Sequence, residues 1–458
     1  MKPVFFFLFV FFSVYNLHAQ KKAAEIDSLM QRAFRAGLFN GNVLVADRGK
    51  VIYKAAIGFA DGARTLKLTE QYRFHIGSIA KEFNAVGMML LQEQGKVRLE
   101  DKVAAYLPQL PSWADSIRVR DLLGYTSGLP DVRWTQVHSD ADNLHDLLQL
   151  KQLDFPPGTR YAYNNNNVFL QRRIIEKITG LSFRDFVAQQ LLKPLGIRNA
   201  IMDPAASDPL VAHSFDNNGK EDDLSVPISG WLAVNLDDFY CWAESIVNGK
   251  LISPASTRFL LLPYPPSRQS GLGFNGEMKG DQIVNFIHDG SARNYQALLV
   301  CRPQEGRTII LMTNNRQDNL GDFHRAIQDI LDGKPYLQPK KPVFPLLQSQ
   351  VDSLDGEQIL SLYRRLEKKY NADYAFDNEY TLNNLGYYLL GKKRVADAIV
   401  ILAYNTKLFP HSGNVFDSLG EAYYTKGDKQ NALLNYKRSL ALDPANTAAK
   451  KIIAELER

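Results

Sequence analysis

The sequence predicts an α+β domain with an antiparallel sheet flanked by helices, followed by an all-α module. Two observations predict the domain, residues 21–332. Apolar runs broken by turn residues lie at both of its ends, which indicates strands, and segments with apolar residues at helical spacing lie between them. A third observation predicts the module: after a proline-rich stretch, residues 353–458 carry helical patterns and an internal repeat.

Length and composition agree with this organisation. The chain has 458 residues, of which 45% are hydrophobic and 22% are charged, as is ordinary for a soluble globular protein of two or three domains. The formal net charge of +5 is small for this length, and the sequence has no basic run interleaved with aromatic residues. The composition therefore argues against a nucleic-acid partner.

Residues 1–19 have the pattern of a signal peptide. Lys2 supplies the positive charge, an unbroken apolar run extends from Val4 to Phe12, and Ala19 is a suitable last residue before cleavage. The run is too short to cross a bilayer as a helix of the mature protein. The sequence thus predicts an exported protein, located in the periplasm or outside the cell.

The strands are predicted from two groups of segments. GNVLVADRGKVIYKAAIGFA indicates two strands around a turn at Arg48 and Gly49. Near the other end of the domain, IVNFIHDG, NYQALLVCRP and RTIILMTNN are apolar runs separated by turn residues. These three segments indicate antiparallel strands.

The helices are predicted between these two groups. In RFHIGSIAKEF, Ser78 and Lys81 precede apolar residues at helical spacing, and the pattern ends at Gly95. Positions i and i+3 share one face of a helix, so the Ser78 hydroxyl and the Lys81 ammonium should point the same way. SIRVRDLLGYTSGLPD indicates a short helix before a turn, and NVFLQRRIIEKITG indicates an amphipathic helix that ends at Gly180.

The segment GKPYLQPKKPVFPLLQ lies in the predicted linker, residues 333–352. Prolines at this density cannot continue a helix or a central strand, so a semi-rigid linker is expected.

The all-α module contains a repeat of 34 residues. The recurring positions are Leu385-Gly386 with Leu419-Gly420, Ala398 with Ala432, and Pro410 with Pro444. This period and these residues resemble the tetratricopeptide repeat, with one repeat near 377–410 and a second near 411–444. Residues 353–458 are therefore predicted to form a tetratricopeptide module that binds a protein or peptide partner, or that docks onto the first domain.

Three motifs occur in order along the first domain: Ser78-x-x-Lys81, Tyr163-Asn164-Asn165 and His288-Asp289-Gly290. Their order resembles the serine β-lactamase and penicillin-binding protein superfamily. The Tyr-x-Asn form points to its class C β-lactamase and D-Ala-D-Ala carboxypeptidase-like branch. LLGYTSGLPD, PGTRYAYNN and LLKPLGI look like the same family, and the resemblance covers about residues 39–315. It implies a β-lactamase/transpeptidase-like fold with an inserted helical subdomain.

The resemblance also implies catalytic roles. A serine hydroxyl is a weak nucleophile and needs a base within hydrogen-bond reach. Ser78 would be acylated, with Lys81 and Tyr163 sharing the proton transfer. Either of these two residues could be the base, because they titrate as a pair.

The remaining site residues would bind the substrate. Asn165 would hold Lys81 and bind a substrate amide. The backbone N–H groups of Ser78 and Ser291 would form an oxyanion hole, and Gly290 would let the strand approach the substrate closely. His288 would occupy the strand position that contacts a substrate carboxylate.

Some residues depart from the pattern of the family. His288 replaces the lysine of true β-lactamases, and a histidine supplies less positive charge than a lysine at pH 7. Asp289 replaces a threonine, and strand alternation should point it away from His288. Arg293 is a candidate for a replacement cation. These departures put β-lactam specificity in doubt and leave the serine mechanism intact.

Two further departures lie outside the third motif. Asn164 stands where the family usually has serine, and Gly124-Tyr125 stands where Thr-His is common.

Neither disulfides nor metals are predicted. Cys241 and Cys301 both lie in apolar surroundings, which favours buried free thiols over a disulfide. The eight histidines are scattered and form no metal-binding motif. No metal or cofactor is therefore expected.

The sequence as a whole predicts an exported serine hydrolase that cleaves an ester, amide or peptide bond of a small-molecule or peptide substrate. One alternative is a true β-lactamase or a D-Ala-D-Ala carboxypeptidase. A second alternative, of a different class, is a catalytically silent scaffold that acts through its repeats. Intact Ser78, Lys81, Tyr163 and Asn165 argue against the scaffold.

Overall fold

The computed structural model describes residues 4–223, 227–264, 267, 269, 271–317, 319–444 and 446–457. The chain divides into two compact units, Met1–Gln338 and Pro339–Arg458. The described strands all belong to the first unit, and the second unit is helical. The structure therefore has the predicted α+β part followed by a helical part.

The strands of the first unit are β1 (Gly41–Asp47), β2 (Lys50–Ile57), β3 (Phe74–His75), β4 (Ile201–Met202), β5 (Leu232–Val234), β6 (Phe274–Lys279), β7 (Gln282–Ala292), β8 (Tyr295–Arg302) and β9 (Arg307–Thr313). Six of them form an antiparallel sheet in the order β2-β1-β9-β8-β7-β6. The predicted early pair and the predicted late group thus meet in one sheet, because β1 pairs with β9. The sequence did not indicate β6, nor the small sheet β3-β5-β4.

The first hairpin has the predicted turn. Arg48 and Gly49 lie between β1 and β2, and their φ angles are 53° and 74°. Positive φ at both central residues matches the twist of a two-residue hairpin. The late strands also pair as predicted, β7 with β8 and β8 with β9.

The α-helices of the first unit are α1 (Val4–Arg35), α2 (Lys81–Glu93), α3 (Val103–Tyr106), α4 (Val119–Leu123), α5 (Asp140–Gln149), α6 (Asn165–Thr179), α7 (Phe183–Phe186), α8 (Leu236–Val247), α9 (Pro254–Leu261) and α10 (Leu320–Asp332). Two of these ends match the sequence closely. Gly95, with a φ of 69°, follows α2, and Gly180, with a φ of 71°, caps α6. The short helix α4 leads into the predicted turn.

The central sheet is buried on both faces, which explains its unbroken apolar runs. Along β1, Val43 and Val45 pack in one hydrophobic cluster, while Leu44 between them packs in the other. Successive side chains of a strand point to opposite faces, so each strand must supply both clusters. The first cluster includes residues of α1 and α10, and the second includes residues of α2, α6 and α8.

Helix α1 continues through Ala19, the predicted end of the signal peptide. Residues 1–3 of that predicted peptide lie outside the described residues. Further along the helix, Ile26, Leu29 and Met30 are buried against the central sheet. Within the described residues, no helix combines the length and the apolar character that a membrane crossing needs. Cleavage after Ala19 stays a prediction.

The second unit contains α11 (Phe344–Val351), α12 (Gly356–Tyr370), α13 (Glu379–Gly391), α14 (Val395–Leu408), α15 (Gly413–Lys426), α16 (Lys429–Leu442) and α17 (Thr447–Leu456). The starts of α13 and α15 are 34 residues apart, as are those of α14 and α16. A methyl group built on Gly386 would lie 2.5 Å from Leu402, and one built on Gly420 would lie 3.1 Å from Tyr436. Each pair of helices therefore approaches closely at a glycine, while the tetratricopeptide assignment itself stays a prediction.

The predicted linker differs from the structure, because its second half is the helix α11. Pro345 lies in the first turn of this helix, where a missing N–H has no intrahelical partner to lose. Val343 and Leu347 are buried in a hydrophobic cluster of the second unit. Proline density alone thus overstated the irregular part of the segment.

The two cysteines are free thiols, as predicted. Cys301 is buried and Cys241 is half-buried.

Candidate active site

Ser78 lies in a short 3₁₀ helix, Gly77–Ala80, that continues directly into α2. Lys81 is the first residue of α2, and its side chain is 8% exposed. Its Nζ lies 3.1 Å from Ser78 Oγ. The predicted contact between the two side chains is therefore present, and it brings a proton acceptor or donor to the serine hydroxyl.

Strand β7 approaches this 3₁₀ helix closely because two glycines face each other across the contact. A methyl group built on Gly290 would lie 2.8 Å from Ser78 N. Likewise, one built on Gly77 would lie 2.3 Å from Ser291 N. Any side chain at either position would push the strand away. The backbone of Ser291 is thus held beside that of Ser78, as the predicted oxyanion hole requires.

Tyr163 is partly exposed beside Lys81. The Lys81 Nζ lies 5.2 Å from the centroid of the Tyr163 ring and 5.8 Å from the centroid of the Trp231 ring. The ring of buried Tyr125 lies 4.7 Å from that of Tyr163. Burial, together with the neighbouring Tyr163, raises the pKa of Tyr125 well above its ordinary value, so Tyr125 stays protonated. Of these two tyrosines, Tyr163 is the one that is partly exposed.

Asn165 begins α6 and lines the same cavity as Lys81. Its backbone N–H donates to Asp131 Oδ1 at 2.9 Å, and its Nδ2 lies 3.5 Å from the same oxygen. These contacts differ from the predicted one, in which the Asn165 side chain holds Lys81. Asn164 caps α6, since its Oδ1 accepts from the Asn167 backbone N–H. An asparagine in place of serine at this position therefore serves as a helix cap.

His288 is not placed as the sequence predicts. Its side chain is 2% exposed, and its Nδ1 lies 2.6 Å from Oε1 of fully buried Glu82. The second oxygen of Glu82 accepts from Trp242 Nε1 at 2.7 Å. A carboxylate only accepts hydrogen bonds, so His288 donates from Nδ1. The imidazole is therefore committed to a buried contact with α2, because strand alternation points it inward.

The same alternation exposes Asp289, as predicted. Arg293 is exposed in the turn after β7, where it has a φ of 53°. Its role as a replacement cation stays a prediction.

Sequence reasoning missed Glu82 and Arg172. Glu82 follows Lys81 directly, and it is a charged residue inside an otherwise apolar helical pattern. Arg172 is one of two adjacent arginines in α6. It is 3% exposed, whereas Arg173 is paired with Asp140 and Glu176. Among the described residues, no group of three or more histidine, cysteine, aspartate and glutamate side chains could hold a metal ion.

A family model described as Beta-lactamase matches residues 23–333. This match covers more than half of the chain, so the chain belongs to the beta-lactamase family. The fold and the Ser78–Lys81 geometry described above agree with that membership.

Several known proteins are similar to this chain. Penicillin-binding protein 4* of Bacillus subtilis (strain 168) is 27% identical over 363 residues, which are 70% of this chain and 79% of the relative. A class C beta-lactamase structure superposes with a TM-score of 0.58 at 19% identity, covering 70% of this chain and 98% of the other. EstCE1, described as a hydrolase with promiscuous acyltransferase activity, has a TM-score of 0.54 at 21% identity, covering 69% and 99%. At these identities the two structures support a common fold.

Proposed function

We propose that this chain is an exported serine hydrolase that cleaves an ester, amide or peptide bond through an acyl-enzyme on Ser78. The observation that carries the proposal is the 3.1 Å contact between Lys81 Nζ and Ser78 Oγ, next to the ring of Tyr163. Such a pair supplies a nucleophile and a group that can take its proton.

In the first step, the Lys81–Tyr163 pair takes the proton of Ser78 Oγ as this oxygen bonds to the substrate carbonyl carbon. The carbonyl oxygen becomes an oxyanion, which the N–H groups of Ser78 and Ser291 stabilise. The same pair then gives the proton to the leaving oxygen or nitrogen as its bond to carbon breaks. In the second step, water attacks the acyl-enzyme by the same route and releases the acid and free Ser78.

The buried position of His288 supports neutral esters and amides over β-lactams as substrates. By resemblance, a β-lactam carboxylate would bind at strand β7, where true β-lactamases have a lysine. Here the imidazole is occupied by Glu82. A charge-assisted hydrogen bond contributes roughly 1.5–3 kcal/mol, so its loss should weaken β-lactam turnover by about 10- to 100-fold.

The test compares the kcat/KM for p-nitrophenyl butyrate and for nitrocefin. A clear preference for the ester supports the proposal. Efficient nitrocefin hydrolysis would favour the alternative, a true β-lactamase or a D-Ala-D-Ala carboxypeptidase. The similarity to Penicillin-binding protein 4* is the observation behind that alternative.

Labelling separates both of these enzymes from a catalytically silent scaffold. A fluorophosphonate and a fluorescent penicillin are applied in parallel to the full chain and to Ser78→Ala. Ser78-dependent labelling by either probe supports an enzyme, whereas labelling by neither would favour the scaffold.

We further propose that the second unit is a tetratricopeptide module with a peptide or protein partner. The equal 34-residue offsets of its helix pairs support this assignment. Export rests on the signal-peptide pattern of residues 1–19. Mass measurement of the protein recovered from the periplasm or medium tests export, because cleavage after Ala19 predicts a chain that begins at Gln20.

A further inference from the structure

Arg172 shares one cavity with the candidate catalytic residue Lys81 and with Asn165. It lies seven residues after Asn165 in α6, and Val168 lies between them at helical spacing. Residues at i, i+3 and i+7 lie on one face of a helix, and all three of these residues line the cavity, as Lys81 also does.

The guanidinium of Arg172 is buried without saturating its hydrogen bonds. The side chain is 3% exposed, and its Nε and Nη2 have no hydrogen-bond partner among the described residues. Leaving a buried donor unpaired is unfavourable, and natural proteins rarely do so without a reason. This arginine therefore has two buried donors that no described protein group satisfies.

Two carboxylates that interact electrostatically with Arg172 are engaged with other donors. Asp203 accepts from the backbone N–H groups of Gly230 and Trp231, and Asp140 accepts from the backbone N–H and hydroxyl of Ser229. These carboxylates hold the loop 228–231 in place beside Arg172. They balance its charge at a distance and leave its Nε and Nη2 open.

The loop is shaped around the guanidinium. Gly230 has a φ of +99°, and a methyl group built on it would lie 2.0 Å from Arg172 Nη1. Only a glycine leaves room for the arginine at this point. Burial lowers the pKa of Arg172 to about 10, so the group is still a cation at pH 7.

We propose that Arg172 binds a carboxylate on the acyl part of the substrate, so that the enzyme prefers short acyl groups that end in a carboxylate. A guanidinium offers paired donors that match the two oxygens of a carboxylate. The acyl part stays on Ser78 after the leaving group departs. Arg172 lines the same cavity as Lys81, and Lys81 contacts Ser78. This inference rests on the proposed acyl-enzyme at Ser78. The cavity lining belongs to the Gly77–Ala80 helix, α2, α6 and the loop 228–231.

The test uses the full chain and pairs of p-nitrophenyl esters of equal length. Mono-esters of succinic, glutaric and adipic acid are compared with the neutral butyrate, valerate and hexanoate, and the rate measured with Ser78→Ala is subtracted. We expect the kcat/KM of the best acidic ester to exceed that of its neutral match by about 10- to 100-fold, mainly through KM. Equal values for every pair would overturn the inference, while turnover of the neutral esters would still support the proposed function.

Variants then assign the preference to Arg172. Arg172→Gln should bring the ratio of acidic to neutral kcat/KM close to one, and Arg172→Lys should keep part of the preference. The matched control is Arg173→Gln, because Arg173 is paired with Asp140 and Glu176. This control should leave the ratio unchanged. An equal loss on both ester types in Arg172→Gln would show a structural role and overturn the inference.

A measurement on the unmodified chain covers the case in which Arg172→Gln does not fold. Glutarate should inhibit hydrolysis of p-nitrophenyl butyrate competitively, and glutaramide, of the same length and without charge, should inhibit at least tenfold more weakly. Equal inhibition by the two compounds would also overturn the inference.

Discussion

Two buried polar groups lie on the helices that carry the candidate site residues, and they differ in how fully they are hydrogen-bonded. Glu82 joins α2 to β7 and α8, with one oxygen on His288 and the other on Trp242. Arg172 in α6, in contrast, keeps two nitrogen atoms without partners among the described residues. Both groups are almost completely buried, so burial alone does not separate a structural role from a binding role. The state of their hydrogen bonds does.

The saturated group serves the geometry of the site. Glu82 is the neighbour of Lys81 in the chain, and His288 lies three residues before Ser291 on β7. Their contact therefore fixes the helix that carries the nucleophile against the strand that carries the second oxyanion donor. The open group does not contribute in this way, since an unpaired buried donor costs about 1–3 kcal/mol. The carboxylate proposed above would supply the missing acceptor.

The largest expected effect comes from Ser78→Ala, which removes Ser78 Oγ, the proposed nucleophile. Turnover should fall by roughly 10⁴-fold or more, because loss of a nucleophile removes the whole covalent route. Labelling should disappear as well, and the circular dichroism spectrum should stay that of a folded protein. Residual turnover within tenfold of the unmodified enzyme would contradict the assignment of the nucleophile. The contrast between Glu82 and Arg172 would then have no bearing on catalysis.

The next effect concerns Tyr163, which lies before α6 on the Arg172 side of the site. Tyr163→Phe should lower kcat by roughly 100-fold, as is typical when a positioned acid or base is lost. Stability should change little, because the side chain is 37% exposed. Tyr125→Phe is the matched control: its ring is adjacent, but its hydroxyl stays protonated, so kcat should change far less. An unaltered kcat in Tyr163→Phe would assign the proton transfer to Lys81 alone.

Glu82→Met removes the hydrogen bonds of the saturated group, Glu82. It leaves the buried N–H groups of His288 and Trp242 without an acceptor, and each unpaired donor costs about 1–3 kcal/mol. With two such donors, the free energy of unfolding should fall by about 2–6 kcal/mol. Urea unfolding followed by tryptophan fluorescence measures this change in the first unit alone, because all four tryptophans lie there: Trp113, Trp134, Trp231 and Trp242.

Asp289→Asn is the control for that experiment, since Asp289 is the exposed neighbour of His288 on β7. It should change the free energy of unfolding by less than about 0.5 kcal/mol. If Glu82→Met were as mild as this control, the Glu82 contact would not be what holds α2 against β7.

The comparison also explains what the sequence could and could not predict. Ser78 and Lys81 were predictable because an i, i+3 spacing on a helix determines which side chains meet. The hairpin at Arg48 and Gly49 was predictable from local turn chemistry. In contrast, the partner of His288 is Glu82, 206 positions away in the chain. No local pattern reports such a pairing, because it depends on how β7 packs on α2.

Arg172 is a second case in which local sequence does not show the tertiary environment of a residue. Arg172 and Arg173 are neighbours of identical type, yet one is buried in a cavity and the other is paired with Asp140 and Glu176. A shift of one residue is 100° around a helix, so adjacent positions face different surroundings. The amphipathic pattern predicted helix α6 correctly, and only the packed loop 228–231 determines which arginine reaches the site.

The smallest expected effect tests whether the whole comparison belongs to the first unit. A chain that ends at Gln338 should fold and should hydrolyse p-nitrophenyl butyrate within about twofold of the full chain, because Glu82, Arg172 and their neighbours all lie in Met1–Gln338. The cut after Gln338 keeps the contacts that Arg32 of α1 makes with Tyr336 and Gln338. It also removes Val343 and Leu347 together with the cluster in which they are buried, so no half of a hydrophobic core is left exposed. The thermal midpoint and kcat/KM of the shortened and full chains are compared under one condition. An insoluble or inactive short chain would show that the first unit needs residues 339–458 to fold or to act. The contrast between Glu82 and Arg172 would then depend on both units.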